Sequence, residues 1–456
     1  MSLYATTDPT TGSVVRAFDT MTDDDVTVAV ETADIAYRAW SRVDVKERAA
    51  LLGEIARLYR DRQEELARTI TLEMGKPITQ ARGELMLVAS IYQYYADQGP
   101  DLVADEPLVI AGAGEAVVRT TAIGPLLGIM PWNFPHYQAA RFVAPNVLLG
   151  NTILLKHAEN CPQGAVEIAD LIRDAGAPHG LYQNVFATRE QSATIISHAV
   201  VQGVSLTGSE VAGRAVGEIA GRNLKRCVLE LGGSDALIVR PSADLALAVE
   251  AAVTGRFNNA GQVCSAPKRL IVDAAVYDSF LDSIVERAAA WEMGDPTQES
   301  TKLGPVSSLR ARTEIAAQVD DALAKGAVAH VGGQVPDREG AYYPATVLSG
   351  VTPDMRAFHE EVFGPVAVLY RVESLDEAID LANDSPYGLG GSVFTDDAGE
   401  AEEVALRLEV GMVGFNTIVK SAPDLPFGGV KSSGIGRELG RFGIEEFSNK
   451  KLVRVA

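Results

Sequence analysis

The chain has 456 residues, 47% hydrophobic and 22% charged, with a formal net charge of −21. That length exceeds what a single hydrophobic core supports and predicts two or three soluble globular domains. The acidity argues against nucleic acid and anionic membranes as partners. No stretch reaches the roughly 18 uninterrupted apolar residues that a membrane span needs. The start, Met1-Ser2-Leu3-Tyr4-Ala5, lacks the basic and apolar regions of a secretory signal, which predicts a cytoplasmic protein. Three cysteines outside any CxxC pair and six scattered histidines without HExxH predict neither a disulfide framework nor a metal site.

In chain order, the first hundred residues read as helical. Val26, Val30, Ala33, Tyr37 and Trp40 recur at helical spacing behind the acidic start Asp23 to Asp25. Similar stripes run through Leu51, Ile55, Leu58, Tyr59 and Leu66, and through Leu85, Val88, Ile91, Tyr92 and Tyr95. From about residue 124 the pattern changes to short apolar runs alternating with helical stretches. Leu126 to Met130, Thr152 to Lys156, Gln183 to Phe186, Gly203 to Leu206 and Cys227 to Leu231 read as buried strands. Gln163 to Ala175 and Glu210 to Ala220 read as helices between them. A second series has strands near Ala236 to Val239, Arg269 to Val272, Ala327 to Val331, Val366 to Tyr370 and Gly391 to Phe394. Such alternation predicts an α/β fold with doubly wound parallel sheets. Glu115 to Thr121 and Lys450 to Val455 are strand-like but belong to neither series.

Four segments carry chemistry. Cys264 follows the flexible Ala260-Gly261-Gln262 run, where a thiolate could attack a carbonyl and backbone N–H groups could approach it. A free cysteine is equally a small buried hydrophobe. Glu230 ends a buried strand before Gly232-Gly233, where burial would raise its pKa into the range of a general base, or where it could be a paired structural carboxylate. The turn from Gly203 to Gly213 leaves a strand and enters a helix, a geometry that favours phosphate. It is neither GxGxxG nor a Walker loop, so it could be structural. Lys156 and Glu159 end another strand, as an ion pair in solvent or as ligands to a ribose.

Together, Pro131-Trp132-Asn133-Phe134-Pro135, Leu229-Glu230-Leu231-Gly232-Gly233 and Phe257 to Arg269 resemble the aldehyde dehydrogenase superfamily. Glu360-Glu361-Val362-Phe363-Gly364-Pro365 and Pro426 to Glu438 extend the resemblance over essentially the whole chain, in family order. The resemblance implies a Rossmann-type cofactor domain (1–101 and 120–229), an α/β catalytic domain (230–425), and a small bridging β-sheet with oligomerisation segments (102–119 and 426–456). It implies NAD(P)-dependent oxidation of an aldehyde through a cysteine thioester. Cys264 is then the nucleophile, Asn133 with the Cys264 N–H the oxyanion donor, and Glu230 the base that activates water. The cofactor would fall to Met130, Pro131, Trp132, Lys156, Glu159, Gly208, Ser209, Gly213, Leu231, Glu361 and Phe363. Relatives often have serine where Glu159 stands and use NADP; a carboxylate there repels a 2′-phosphate and predicts NAD, with NADP possible. A homodimer or homotetramer is implied, with a small aldehyde as the only other partner.

For the substrate, Pro135 to Arg141, Lys156-His157-Ala158 and Leu231 to Asp235 resemble the short bacterial succinate-semialdehyde dehydrogenases. In that branch an arginine matching Arg141 and a serine matching Ser421 bind a substrate carboxylate, and Arg141 is expected to face the active-site mouth. Arg141 could instead be a packing residue. Longer relatives carry a further arginine where Asn259 stands, and some carry a second cysteine where Ala266 stands, so no local disulfide switch is expected. Another small aliphatic or aromatic aldehyde, transfer of the acyl group to a thiol, and a catalytically silent scaffold are the alternatives. Glu230 argues against acyl transfer to a thiol, and the joint presence of Cys264, Glu230 and Asn133 argues against the scaffold.

Overall fold

The computed structural model describes residues 3–456. Its start departs from the helical expectation, because Tyr4–Asp8 and Ser13–Phe18 pair as an antiparallel hairpin. The turn explains this: Asp8 accepts from Gly12 N at 2.7 Å and its side chain from Thr10 N at 2.8 Å, while Gly12 takes φ +76°. That left-handed position suits glycine. Four helices follow, Asp23–Trp40, Val45–Asp61, Gln63–Met74 and Ile78–Leu102. The first begins at a capping box of Thr22 and Asp25, the local signal that the acidic start represents.

The first sheet contains Pro125–Met130, Thr152–His157, Tyr182–Asn184, Gly203–Thr207 and Arg226–Glu230, all parallel. The chain runs outward from Pro125–Met130 through Thr152–His157 to Tyr182–Asn184. It then returns to the other side of Pro125–Met130 with Gly203–Thr207. The order therefore reverses beside Pro125–Met130, and in open sheets of this kind the ligand crevice lies at the carboxyl ends of the two strands flanking such a reversal.

A seven-stranded sheet forms the second layer system. Asp235–Val239 and Pro267–Asp273 lie at its centre, and Val328–Val331, antiparallel, forms one edge. Two of its strands, Thr346–Ser349 and Met412–Phe415, were not anticipated. Both are only four residues long and follow loops without helical periodicity.

A separate antiparallel sheet joins Ser448–Val455, Glu115–Ala122 and Glu106–Leu108. The segment before Ser448 does not join it. Gly434–Ile435 instead pairs with Leu229 and Glu230 at the edge of the first sheet, and Phe427 bridges Glu438 across a hairpin. The C-terminal signature thus closes over the end of the strand that carries Glu230. Among the described residues, no helix is long and apolar enough to cross a membrane.

Candidate active site

The helix Leu245–Phe257 ends at a tight turn, Asn258–Gly261, that leads to Cys264. Asn259 and Ala260 both take left-handed conformations, φ 52° and 50°. Each such non-glycine residue costs about 1–3 kcal/mol and persists only when its surroundings hold it. Here Asn259 Nδ2 donates to Asn133 O at 2.9 Å, and Asn259 N donates to Gln80 Oε1 at 2.7 Å. Gln262 ties the far side, donating to Asn259 O at 3.1 Å and accepting from Ser307 N at 2.9 Å. Gly261, at φ +73°, abuts the Gly364 carbonyl so closely that a Cβ would collide with it.

Cys264 then lines a cavity of about 340 Å³ with Phe134, Tyr137, Gln138, Ser421 and Phe427. A larger groove of about 780 Å³ lies on the outer helices near Ile35 and Trp40 and has no cysteine in its lining. The protein packed around Cys264 pushes its thiol up to about 11, against the opposing pull of Arg141 and Lys268. Glu230 and Glu361 add to the rise. Without further charge compensation the sulfur is a protonated thiol at neutral pH.

Asn133 is buried, and its Nδ2 donates to Gln262 O at 3.1 Å. Its backbone is fixed from below by Lys76, whose Nζ donates to Asn133 O at 2.9 Å and pairs with Glu84. Glu84 in turn accepts from His136 N and Tyr137 N, the first free N–H groups of the helix Pro135–Leu149. A buried ion pair therefore anchors the oxyanion candidate and caps the helix behind it. Sequence reasoning passed over both residues. For Lys76 the signal was its place between Met74-Gly75 and Pro77-Ile78, a lone cation in an apolar stretch; Glu84 carries no such local mark.

Glu230 sits at its expected strand end, buried, with Oε1 lacking a hydrogen-bond partner. Burial pushes its carboxyl well above the usual range, Arg141 opposes the rise, and Glu438 adds to it. It is close enough to influence the Cys264 thiol, though it does not line the 340 Å³ cavity.

Arg141 is not at the mouth. Every residue of the helix Pro135–Leu149 is buried, so that helix offers no solvent-facing side to an arginine. The guanidinium forms an ion pair with Glu438, donates to Thr207 Oγ1 at 3.2 Å, and lies 4.6 Å from the centre of the Phe427 ring. It reaches toward the cavity only through Tyr137, donating to its hydroxyl at 3.3 Å. That hydroxyl contacts Ser421 Oγ at 2.5 Å. Ser421 and Tyr137 do line the cavity, and Lys420 stands exposed on the same wall.

The crevice at the strand reversal holds the other residues. Met130, Pro131 and Trp132 leave one flanking strand, and Gly208 and Ser209 leave the other. Ser209 caps the helix Glu210–Arg222. The first N–H groups of that helix, which no helix satisfies internally, suit a phosphate. Gly213 admits the Leu231 side chain where a Cβ would stand 2.6 Å from it. Lys156 Nζ lies 3.8 Å from Glu159 Oε1. Burial lowers the Lys156 pKa, Glu159 opposes that, and Arg189 adds to it. Glu361 accepts from Gly233 N at 3.2 Å, and Phe363 packs edge-on to Trp132 at 5.8 Å. At Gly232 a Cβ would stand 2.5 Å from Glu361 Oε2. The donors and missing side chains of this crevice fit a nicotinamide dinucleotide.

A model of the aldehyde dehydrogenase family matches residues 2–453. The succinate-semialdehyde dehydrogenase [NADP(+)] of Deinococcus radiodurans is 52% identical over 99% of this chain and 94% of its own. Succinate-semialdehyde dehydrogenase [NADP(+)] 1 of Mycobacterium ulcerans is 45% identical over 99% of both chains. Among solved structures, Gox0499 superposes with a TM-score of 0.98 at 45% identity over 100% of both chains. Succinic semialdehyde dehydrogenase from Streptococcus pyogenes in complex with NADP+ does so with 0.97 at 40% identity over 99% of both. With the family model spanning nearly its whole length, the chain belongs to the aldehyde dehydrogenase family.

Proposed function

We propose that this enzyme oxidises succinate semialdehyde to succinate with Cys264 as nucleophile. The observation that carries the substrate is the Tyr137–Ser421 hydroxyl pair on the wall of the Cys264 cavity, backed by Arg141. Both hydroxyls can donate to a carboxylate, and a cation behind Tyr137 strengthens that donation. Arg141 thus acts on the substrate through Tyr137, which replaces the expectation of a direct fork. Lys420 supplies the local positive charge that an anionic substrate needs against a net charge of −21. The two named relatives, both succinate-semialdehyde dehydrogenases, support the same substrate.

In this reading Cys264 gives up its thiol proton to solvent through the cavity and attacks the aldehyde carbon as the thiolate, and the oxyanion is held by Asn133 Nδ2 and the Cys264 N–H. The nicotinamide cofactor, held by the crevice residues, supplies the acceptor for the hydride. The acyl group remains on Cys264 as a thioester. Glu230, whose raised pKa suits proton uptake, draws the proton from water as that water attacks the thioester. Succinate leaves with the cavity reset.

The preferred cofactor in this reading is NADP rather than NAD. Glu159 by itself would repel a 2′-phosphate, but Lys156 lies 3.8 Å from it and Arg189 stands close enough to act on Lys156, so two cations oppose one carboxylate. The relatives named for NADP(+) support this revision of the NAD expectation. The exposed apolar residues Leu108, Leu452 and Val455 of the three-stranded sheet support assembly into a homo-oligomer.

The test is steady-state kinetics with succinate semialdehyde, butanal and benzaldehyde against each cofactor. The reading expects kcat/KM for succinate semialdehyde at least tenfold above butanal. Equal values for both would remove the carboxylate from recognition. Glu230→Gln is expected to yield one equivalent of reduced cofactor and then stall. Undiminished turnover would remove Glu230 from the mechanism.

A further inference from the structure

Lys268 is the second residue of the central strand Pro267–Asp273, and only 3% of it is exposed. An ammonium carries three N–H donors and no acceptor. Two of them go to Val263 O at 3.0 Å and Cys264 O at 2.7 Å, and Glu361 Oε1 lies 3.0 Å away as the ion-pair partner. Two of these partners are carbonyls of the nucleophile loop, and the third is the carboxylate that the family resemblance assigns to the cofactor.

The Val263 carbonyl has a special position. It shares a peptide plane with the Cys264 N–H, and no peptide bond in the described chain is cis. In a trans peptide the C=O and N–H point in opposite directions. Gripping Val263 O from the Lys268 side therefore aims the Cys264 N–H the other way. A second carbonyl, Cys264 O, is held by the same ammonium, so the peptide planes on both sides of the nucleophile are fixed by one group. Gly233 completes the seat, since a Cβ there would stand 2.6 Å from Cys264 O.

Glu361 is fixed by the same device. Its Oε1 accepts from Gly233 N and pairs with the Lys268 ammonium, which leaves Oε2 for a ligand. We propose that Lys268 is a positioning residue that orients the oxyanion-binding N–H of Cys264 and couples that loop to Glu361. Its grip on the peptide acts in the aldehyde chemistry, and its ion pair acts in cofactor binding. The second half rests on the assignment of Glu361 to the cofactor. The charged groups around this cluster are Arg141, Glu230 and Glu361, which with Lys268 act on the thiol, and Asp235, which Lys268 and Glu361 influence.

The experiment compares Lys268→Met, Lys268→Arg, Glu361→Gln and Asn133→Ala with wild type. The readouts are kcat and KM with propanal, the Kd of NADP+, and the pH dependence of Cys264 alkylation by iodoacetamide. Lys268→Met is expected to lower kcat ten- to a hundredfold, weaken NADP+ at least fivefold and move the alkylation inflection upward. Lys268→Arg keeps the charge without the three-point grip. It should hold the inflection near that of wild type and still lose kcat. Because Lys268 and Asn133 serve one oxyanion, the double variant should lose less than the product of the single losses.

A Lys268→Met enzyme with kcat within twofold of wild type would overturn the proposal. So would strictly multiplicative losses with Asn133→Ala, or a folded Lys268→Arg enzyme of full activity. If Glu361→Gln leaves NADP+ affinity unchanged, the cofactor assignment of Glu361 fails while the kcat arm still judges the peptide grip. If Glu361→Gln weakens NADP+ and Lys268→Met does not, the coupling fails and the assignment stands.

Discussion

Arg141 and Glu438 form an ion pair sealed inside the protein, although one lies in a helix near the first sheet and the other near the end of the chain. The hairpin that bridges Phe427 to Glu438 brings a ring and a carboxylate to the same guanidinium. Glu438 also accepts from Ser205 Oγ at 3.0 Å, which ties the C-terminal signature to the strand Gly203–Thr207. Arg141 is therefore a keystone between the sheet and the C-terminal segment, and the cavity senses it through Tyr137.

This arrangement separates stability from substrate recognition. Arg141→Met leaves Glu438 buried without its partner and should cost about 3–5 kcal/mol, whereas Arg141→Met with Glu438→Leu should recover most of that. Urea unfolding gives both numbers. Ser421→Ala, by contrast, should raise KM for succinate semialdehyde by roughly tenfold, about 1.4 kcal/mol, with unfolding unchanged. A Ser421→Ala enzyme with equal losses on butanal would put Ser421 outside carboxylate recognition.

Asn133 and Lys76 invite a similar dissection. Asn133→Ala removes an oxyanion donor and should lower kcat about 10²–10³-fold with little change in KM. Lys76→Met strands Glu84 in the interior, so its main effect should be on stability. A kcat loss matching that of Asn133→Ala in a Lys76→Met enzyme of unchanged stability would show that the ion pair acts on catalysis alone, contrary to the anchoring role.

The elements that sequence periodicity made legible are those whose residues obey a local rule. The alternation of strands and helices from Pro125 to Glu230 follows from burial on both faces of a parallel sheet, and the structure realises it within a few residues. Cys264, Glu230 and Gly208 stood out because small residues or a strand end flank them. The buried cations were not legible in the same way. Arg141 reads as a surface fork until Glu438 is seen beside it, and Lys268 reads as one of two cations before an apolar strand. Pairing across distant segments leaves no local pattern. The N-terminal hairpin was missed for another reason: Asp8 to Gly12 is a turn signal, but helical stripes beginning at Val26 dominated the reading of that region.

His157 makes the acid response testable. It is fully buried beside Lys156, and burial first, then Lys156, lowers its pKa from 6.5 to about 3. A folded-state pKa below the unfolded one means that the unfolded chain binds more protons between those values. The contribution is thus complete above about pH 6.5 and is lost as pH falls toward 3, about 2 kcal/mol being gone by pH 5. His157→Leu removes this one group and leaves the other titrations in place. The unfolding free energy of wild type minus that of His157→Leu should fall by that amount between pH 7.5 and 5. A difference that stays flat would mean His157 does not titrate on unfolding.

In the proposed reading the cofactor preference turns on Lys156, Glu159 and Arg189. Lys156 and Arg189 contribute two positive charges and Glu159 one negative, so a 2′-phosphate of about −1.5 to −2 meets a net attraction. Lys156→Met should therefore lower kcat/KM with NADP at least tenfold and with NAD only a few-fold. Arg189 is exposed, so Arg189→Ala should cost NADP less, and that loss should shrink as salt is raised. Glu159→Ser removes the opposing charge and should raise NADP use further, leaving NAD weaker because a ribose-binding carboxylate is gone. If wild type instead favours NAD, and Glu159→Ser reverses the preference, then Glu159 rather than the cation pair governs the site.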